Sequence, residues 1–321
     1  MGIFRLPAPS AELGVLYPLF AIAFMVEVGL GIVSPILPAI MHEFSLSASQ
    51  IALMVTLFGL ARLLTDLLPG FILDQADRTK VLVMGTLLIV VGSTGCAIAP
   101  NYSLVLFARA VMGAGSAVCL VTLLVIISKA SHEGAKGSAI GVFQASLLAG
   151  VAMGPAVGGV SASLAGWRTA FIVCAVAAGL TTLLVLVAAR RGTLKLPTAP
   201  RLQDGRRETN VSERHERHNE GPRWDLTAIN FTTFVFFVSV SGFRNSMIPV
   251  YGGTEIGLSI AALGLMLAGS GVIRFFVTLQ SGFASDRYGR KIILVPGIGF
   301  LVAGTLGFVL ARDRSVSPSR C

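Results

Sequence analysis

Nine long apolar runs dominate the chain and restrict what it can fold into. They cover residues 13–37, 49–71, 81–99, 103–127, 137–163, 167–188, 226–250, 258–283 and 292–310. Each has about the 20 residues that an α-helix needs to cross roughly 30 Å of hydrocarbon. Lipid offers no partner to backbone polar groups, and the runs lack the alternation of barrel strands. Each run is therefore predicted to be a membrane-spanning helix.

Charge content supports an all-α membrane protein. Charged residues make up 13% of the chain, against about 25% in an ordinary soluble domain, and the mean hydropathy is +0.80. The first run is long enough to span, and no small-residue cleavage site follows a short apolar core. We therefore expect the first helix to stay in the protein as an anchor.

The positions of Lys and Arg predict the orientation of the chain in the membrane. One set of loops contains Arg78, Lys80, Lys129, Lys136, the 190–223 stretch, Arg287, Arg290 and Lys291, whereas only Arg168 lies on the other side. Because cytoplasmic loops carry excess Lys and Arg, the N-terminus is predicted to be cytoplasmic. The formal net charge of +9 then reflects topology and a basic face against lipid, not nucleic-acid binding. We expect a multi-pass protein of the plasma, or inner, membrane.

A polar segment divides the runs into two groups. Residues 191–224 are rich in Arg, Glu, His and Asn and lack apolar periodicity, which is typical of a solvated linker. The predicted domains are thus a six-helix N-terminal bundle over 1–190, a cytosolic linker over 191–224, and three helices with a tail over 225–321.

The two groups of runs contain an internal repeat. The stretch from Gly70 to Gly85 recurs from Gly282 to Gly297, with Asp74 and Asp286 in equivalent places and an offset of 286 − 74 = 212. The same register extends upstream through the preceding helix. In an apolar chain, a parallel repeat of this length predicts a transporter built from two related helical halves.

The repeated stretch combines glycines, an acidic residue and basic residues between two runs. An acidic side chain at the membrane face can meet helix N-termini or Arg and Lys partners, and glycine allows a tight turn. The first copy has Gln75 and Asp77 where the second has Arg287 and Gly289. The candidate gating residues are Gly70, Asp74, Arg78, Gly282, Asp286, Arg287, Gly289 and Arg290.

The fifth run contains a second pattern of small residues. Its members are Gly141, Gly150, Gly154, Pro155, Gly158 and Gly159. A spacing of four brings residues 150, 154 and 158 to one helix face, where a neighbouring helix can approach closely. Pro155 removes a backbone hydrogen bond and bends the helix. Simple helix packing is the alternative interpretation.

These motifs resemble those of the major facilitator superfamily. The loop copies resemble its loop signature, Arg109, Gly113 and Gly115 resemble its fourth-helix motif, and the fifth-run pattern is similar to that of the twelve-helix drug/proton antiporters. The resemblance implies a major facilitator fold, a role in proton coupling for Arg109, and a fifth-helix stripe that seals the two halves together and favours exchange. It also implies an incomplete C-terminal bundle. The offset would place a tenth helix near 103 + 212 = 315, so we expect a C-terminally truncated member.

Charged residues within the runs are the candidates for chemistry. Glu27 is interpreted either as a proton carrier and counter-charge for a cationic substrate, or as a structural partner of Arg109 or another buried arginine. Arg62 and Asp66, four residues apart, favour a local ion pair. Arg244 and Asn245 have no counterpart in the first half and are candidate substrate contacts.

Together these features predict proton-coupled efflux of small amphipathic or cationic molecules by alternating access. The partners would be a small-molecule substrate, protons and the lipid bilayer. The alternative is a non-transporting remnant or a membrane partner of full-length relatives, and import by symport is disfavoured by the fifth-run pattern. No nucleophile with a base, metal-binding set or phosphate loop stands out in the sequence, so we expect neither an enzyme nor a cofactor.

Overall fold

A computed structural model describes residues 11–66, 77–131, 136–190 and 243–288, with short stretches at 296–297, 299–300 and 303–304. All regular structure in these ranges is helical. Within the described residues, seven segments are long and apolar enough to cross a membrane: Leu16–Glu43, Ala48–Asp66, Arg78–Ile98, Tyr102–Ala130, Lys136–Ala165, Trp167–Arg190 and Ile260–Thr278. Seven of the nine predicted spans are thereby confirmed. The predicted spans at 226–250 and 292–310 and the predicted linker at 191–224 lie largely or wholly outside the described residues.

The first span is interrupted near its end. Helix α1 covers Ala11–Gly31, a 3₁₀ turn covers Ser34–Ile36, and helix α2 covers Leu37–Glu43. Pro35 and Pro38 explain the interruption, because proline has no amide hydrogen for the helical ladder and its ring clashes with the preceding turn.

Five long helices follow: α3 (Ala48–Asp66), α4 (Arg78–Ile98), α5 (Tyr102–Ala130), α6 (Lys136–Ala165) and α7 (Trp167–Arg190). Side chains cap two of them, because the Asp77 carboxylate accepts from the Thr79 amide at 2.9 Å and the Asn101 side chain accepts from the Leu104 amide at 2.9 Å. Asp77, which stands in the first loop copy where the second copy has Gly289, is therefore the N-cap of α4.

Beyond residue 242 the helices are shorter, apart from the last. A π-helical turn, Phe243–Met247, leads into α8 (Ile248–Thr254), and α9 covers Ile260–Tyr288. The predicted span ended near Phe283, but the helix continues to Tyr288. Gly282, Asp286 and Arg287 thus lie in a helix and not in a loop, and no proline interrupts the stretch from Ile260 to Tyr288.

Helix packing places α1 against α6 and α7, α5 against α3 and α4, and α4 against α7. Two apolar cores result, one around Phe58, Trp167 and Phe171, and the other around Leu19 and Leu123. Many large apolar side chains of α3 to α7, such as those of Leu63, Val91, Phe107, Leu164 and Leu183, remain exposed. Such a surface suits lipid and would be costly in water.

Tertiary contacts divide the chain into two compact units, one ending at Gly271 and one beginning at Val272. The first contains α1 to α8 and the first part of α9. In the second, Phe275 and Phe276 pack edge to face with ring centroids 5.5 Å apart. The predicted boundaries at 1–190, 191–224 and 225–321 stay predictions.

Candidate functional site

A cavity of about 50 Å³ lies inside the first unit, among α1, the 3₁₀ turn, α2, α3, α5, α6 and the π-helical turn. Its polar lining comes from Ser34, Arg109, Arg244 and Asn245. The apolar lining residues are Leu30, Gly31, Val33, Leu37, Val55, Phe58, Val151 and Pro155. The fold therefore brings together three of the four residues predicted for the substrate or proton pathway.

Arg109 is the most deeply buried charged group of the cavity. It is 2% exposed, its Cζ lies 4.3 Å from the centroid of the Phe58 ring, and its Nη1 lies 4.0 Å from Met112 Sδ. Its Nε has no hydrogen-bond partner. Gly113, one turn along α5, makes this placement possible, because it lets the α3 backbone at Phe58 approach so closely that a β-carbon would lie 3.2 Å from the Phe58 carbonyl carbon.

The surroundings of Arg109 compensate its charge only in part. A desolvated cation–π contact contributes about 2 kcal/mol or somewhat more, whereas burying an unpaired ion costs several kcal/mol. Among the described residues, no carboxylate forms an ion pair with Arg109. The interior of the bundle thus contains a positive charge without a described counter-ion.

Arg244 brings a second guanidinium to the same cavity. Its Nη2 donates to the Leu267 carbonyl at 2.9 Å and its Nε donates to Ser270 Oγ at 3.3 Å. Helix α9 therefore holds this side chain. Gly271 leaves the necessary space, since a β-carbon there would lie 3.2 Å from Arg244 Nη2 and 2.6 Å from the Ala152 Cα.

Glu27 lies apart from the cavity lining. It is 4% exposed, and its Oε1 is 3.3 Å from Arg62 Nη2. The structure thus selects an arginine other than Arg109 as the partner of Glu27. Within the described chain, the ion pair of Arg62 is made with Glu27 and not with Asp66, because a carboxylate buried on α1 gains more from a partner than one at the end of α3.

The small residues of α6 are used on two faces. A β-carbon at Gly150, Gly154 or Gly158 would lie 2.5 Å from Phe24 O, 2.6 Å from Val28 O and 2.8 Å from the Ile32 carbonyl carbon, respectively. This stripe packs α6 on α1, inside the first bundle. At the other end of the motif, Gly141 has nothing within 4 Å.

The contact between α6 and α9 is made elsewhere on α6. A β-carbon on Gly159 would lie 2.8 Å from the Gly264 Cα and 2.7 Å from Ile260 O, and Gly264 packs on the Pro155 carbonyl. In the described residues the 150, 154 and 158 stripe faces the first span, and the role of this stripe in joining the two halves stays a prediction. Residues four apart share one face, and the face that meets α9 is the one offset by a single residue.

Arg168, the exception to the charge rule, belongs to a polar cluster at the ends of three helices. Its Nη1 is 2.6 Å from Glu43 Oε1, its Nη2 donates to the Ala99 carbonyl at 3.2 Å, and its Cζ lies 4.5 Å from the Trp167 ring centroid. Trp167 Nε1 also donates to Glu43. Sequence reasoning missed this cluster, although Glu43 ends the first span and Arg168 begins the sixth.

The loop motif is described only in part. Gly70, Asp74, Gly289 and Arg290 lie outside the described residues, and Gly282, Asp286 and Arg287 are described as α9 backbone only. Arg78 is the first residue of α4. The gating role of this motif stays a prediction.

Comparisons with known proteins agree with this architecture. The sequence model of the Major Facilitator Superfamily matches residues 19–317. The uncharacterized MFS-type transporter YbcL of Bacillus subtilis is 31% identical over 160 residues, or 49% of this chain and 40% of that protein. The quinolone resistance protein NorA of Staphylococcus aureus is 27% identical over 151 residues, or 46% of this chain and 38% of that protein.

A solved structure of a bacterial homologue of the human lysosomal transporter Spinster has the same fold. It superposes with a TM-score of 0.72 at 19% identity, covering 88% of this chain and 64% of that chain. The matched part of this chain spans less than half the length of either curated relative. Proteins of this kind are transporters and not enzymes, in agreement with the sequence. The chain is thus a multi-pass membrane protein and belongs to the major facilitator superfamily.

Proposed function

We propose that this protein is a proton-coupled exporter of small amphipathic molecules that works by alternating access. The observation that carries the proposal is the cavity lined by Arg109 of α5, Pro155 of α6, and Arg244 and Asn245 of the π-helical turn. Sites of this kind in transporters lie between related halves, near the bilayer midplane. Residues from both sides of the predicted linker meet there, so relative motion of the halves would open the cavity.

The relatives support export as the direction of transport. NorA is named for quinolone resistance, and resistance follows when a foreign small molecule leaves the cell. The fifth-run pattern supports exchange over uniport, because close packing at Pro155, Gly159 and Gly264 leaves little space for a leak between α6 and α9.

The Glu27–Arg62 pair is the candidate for proton coupling. A charged side chain at a helix centre costs about 2.5 to 3.5 kcal/mol on insertion scales. Glu27 can meet this cost in two ways, by pairing with Arg62 as a carboxylate or by taking up a proton. Protonation of Glu27 would break the ion pair and free the Arg62 side chain to move. Uptake of one proton would thereby change a contact between α1 and α3.

The proposed orientation has the N-terminus in the cytoplasm of a plasma, or inner, membrane. Arg168 was the one cation against this assignment, and the carboxylate of Glu43 neutralises it at 2.6 Å. The rule counts Lys and Arg and not net charge, so the ion pair does not remove the exception, but this single cation is outnumbered by the Lys and Arg residues of the other side.

Dye movement in proteoliposomes tests the function. Under an imposed pH gradient, purified protein should move ethidium or an anionic naphthalene sulfonate dye, and Glu27→Gln should abolish this movement. Glu43→Gln is the matched control, because it neutralises a carboxylate outside the Glu27–Arg62 pair, and it should keep the flux. Absence of gradient-driven movement of either dye by well-folded protein would refute the proposal and favour a non-transporting membrane partner.

A further inference from the structure

We infer that the cavity beside Arg109 is an anion subsite that receives the carboxylate of an amphipathic substrate. The inference rests on the proposed function and names the substrate class of the same site. One of the two interpretations from sequence made Glu27 the counter-charge of a cationic substrate, and the geometry points to a substrate of the opposite sign.

The charged residues that line the cavity are the first argument for an anion. Arg109 and Arg244 both line the cavity, and no Asp or Glu is among the described residues that do so. Glu27, a candidate counter-charge from the sequence, is paired with Arg62 at 3.3 Å. A cation entering this cavity would meet the Arg109 guanidinium, which has no described counter-ion, whereas an anion would find an opposite charge in a medium of low dielectric constant.

Unsatisfied donors are the second step. Arg109 is 2% exposed, and its Nε is the one buried side-chain nitrogen or oxygen in the described residues without a hydrogen-bond partner. A buried donor without an acceptor is costly and calls for an explanation. A carboxylate in the cavity would compensate the charge of the Arg109 guanidinium, which the Phe58 ring does only in part.

Preorganisation is the third step. The Leu267 carbonyl and Ser270 hold the Arg244 side chain, and the Phe58 ring packs on that of Arg109. Because both guanidinium groups are held before a ligand arrives, little side-chain entropy is lost on binding. The amide of Asn245 and the hydroxyl of Ser34 add uncharged donors to the lining.

Size determines which part of a substrate the cavity can take. About 50 Å³ accommodates a few water molecules or one carboxylate, whereas pockets for drug-sized ligands measure about 300 to 1,000 Å³. The cavity is therefore a headgroup subsite. The apolar remainder of the substrate would lie against Val55, Val151 and the other apolar lining residues as the halves move apart.

Calorimetric titration of the purified full chain tests this assignment. Benzoate, benzylamine and benzyl alcohol share a ring but differ in charge at pH 8, and benzoate should bind at least tenfold more tightly than the other two. Arg109→Met and Arg244→Gln should each weaken benzoate binding at least tenfold. Arg168→Gln, which removes an arginine outside the cavity, should leave the affinity unchanged.

Thermal unfolding separates a binding role of Arg109 from a structural one. Arg109→Met removes a buried charge without a described counter-ion, so the ligand-free variant should melt no lower than the wild type. Benzoate should raise the melting temperature of the wild type only. If Arg109→Met fails to fold, Arg109 is structural, and Arg244→Gln must show the loss of binding for the inference to stand.

Three results would overturn the inference: benzylamine binding as tightly as benzoate, unchanged benzoate affinity in both cavity variants, or chloride competing as strongly as acetate at equal concentration. The last would mean that the cavity holds a solvent counter-ion only. The titration needs no pH gradient, so it tests the anion subsite independently of transport. If the protein moves dye but does not prefer benzoate, the subsite is refuted and the proposed export function stands. Benzoate selectivity without flux supports the subsite and refutes the exporter.

Discussion

At the scale of single residues, the two buried charges of the described residues differ in whether they have a partner of opposite charge. Glu27 has a partner on a neighbouring helix, in Arg62, whereas Arg109 has an aromatic ring and an unsatisfied Nε. Breaking the first arrangement by removing Arg62 would leave the buried Glu27 carboxylate without its partner. The second leaves a positive charge available to a ligand.

The Glu27–Arg62 pair can be tested by a double-mutant cycle. Arg62→Gln should lower the free energy of unfolding by about 3 kcal/mol, at the low end of the range for buried pairs, because the Arg62 side chain keeps 28% exposure. Adding Glu27→Gln should restore most of the loss by removing the stranded carboxylate. Unfolding of the purified protein in mixed micelles measures both changes.

Arg190→Gln is the control for this cycle, since Arg190 is exposed at the end of α7, and its effect should stay within about 0.5 kcal/mol. Additive effects of the two single substitutions, with no coupling energy, would show that the pair contributes nothing to stability.

At the scale of helices, glycine positions decide which elements can approach. Gly150, Gly154 and Gly158 bring α6 onto α1, and Gly159 with Gly264 brings α6 onto α9. Successive members of the stripe meet residues 24, 28 and 32 of the first span, so the first and fifth spans run in the same direction. That direction is the one required of the first and fifth spans in a chain that crosses the membrane alternately.

Alanine substitutions on α6 test this use of glycine. Gly158→Ala should destabilise the protein by about 1 to 3 kcal/mol through overpacking against the α1 backbone. Gly141→Ala is a matched control on the same helix, and with nothing within 4 Å of its β-carbon it should be neutral or stabilising by up to about 1 kcal/mol. Unfolding in mixed micelles compares the two, and equal effects would contradict the packing of α6 on α1.

At the scale of the whole molecule, the orientation in the membrane is the main prediction. Cys96, Cys119 and Cys174 are buried, so replacing Cys321 by serine should give a parent that an impermeant maleimide does not label. In that parent, Ser49→Cys should react from outside intact cells, and Lys129→Cys only after the membrane is opened. The two positions lie at opposite ends of the bundle and are exposed.

Labelling is read by gel shift with a maleimide-coupled polymer. Labelling of Lys129→Cys but not Ser49→Cys in intact cells would reverse the orientation. Labelling of both would contradict a single topology.

The family and the positions of most helices could be predicted from the sequence, because both depend on local information. A run such as 167–188 is apolar along its length, and this property alone predicts the span found at Trp167–Arg190. The motif patterns likewise depend on spacing along the chain. Helix ends were predicted less well. The Asp77 cap begins α4 at Arg78, before the predicted start at residue 81, and α9 continues to Tyr288, past the predicted end at residue 283.

Sequence alone therefore determined that this chain crosses the membrane several times and belongs to a two-halved transporter family. Only the tertiary structure decided that Glu27 pairs with Arg62, that Gly159 rather than Gly158 meets α9, and that Arg109 and Arg244 share a cavity. The physical reason is that apolar length is a property of one segment. Contacts between charges and glycines depend on how each helix is rotated about its axis and on which neighbour it meets.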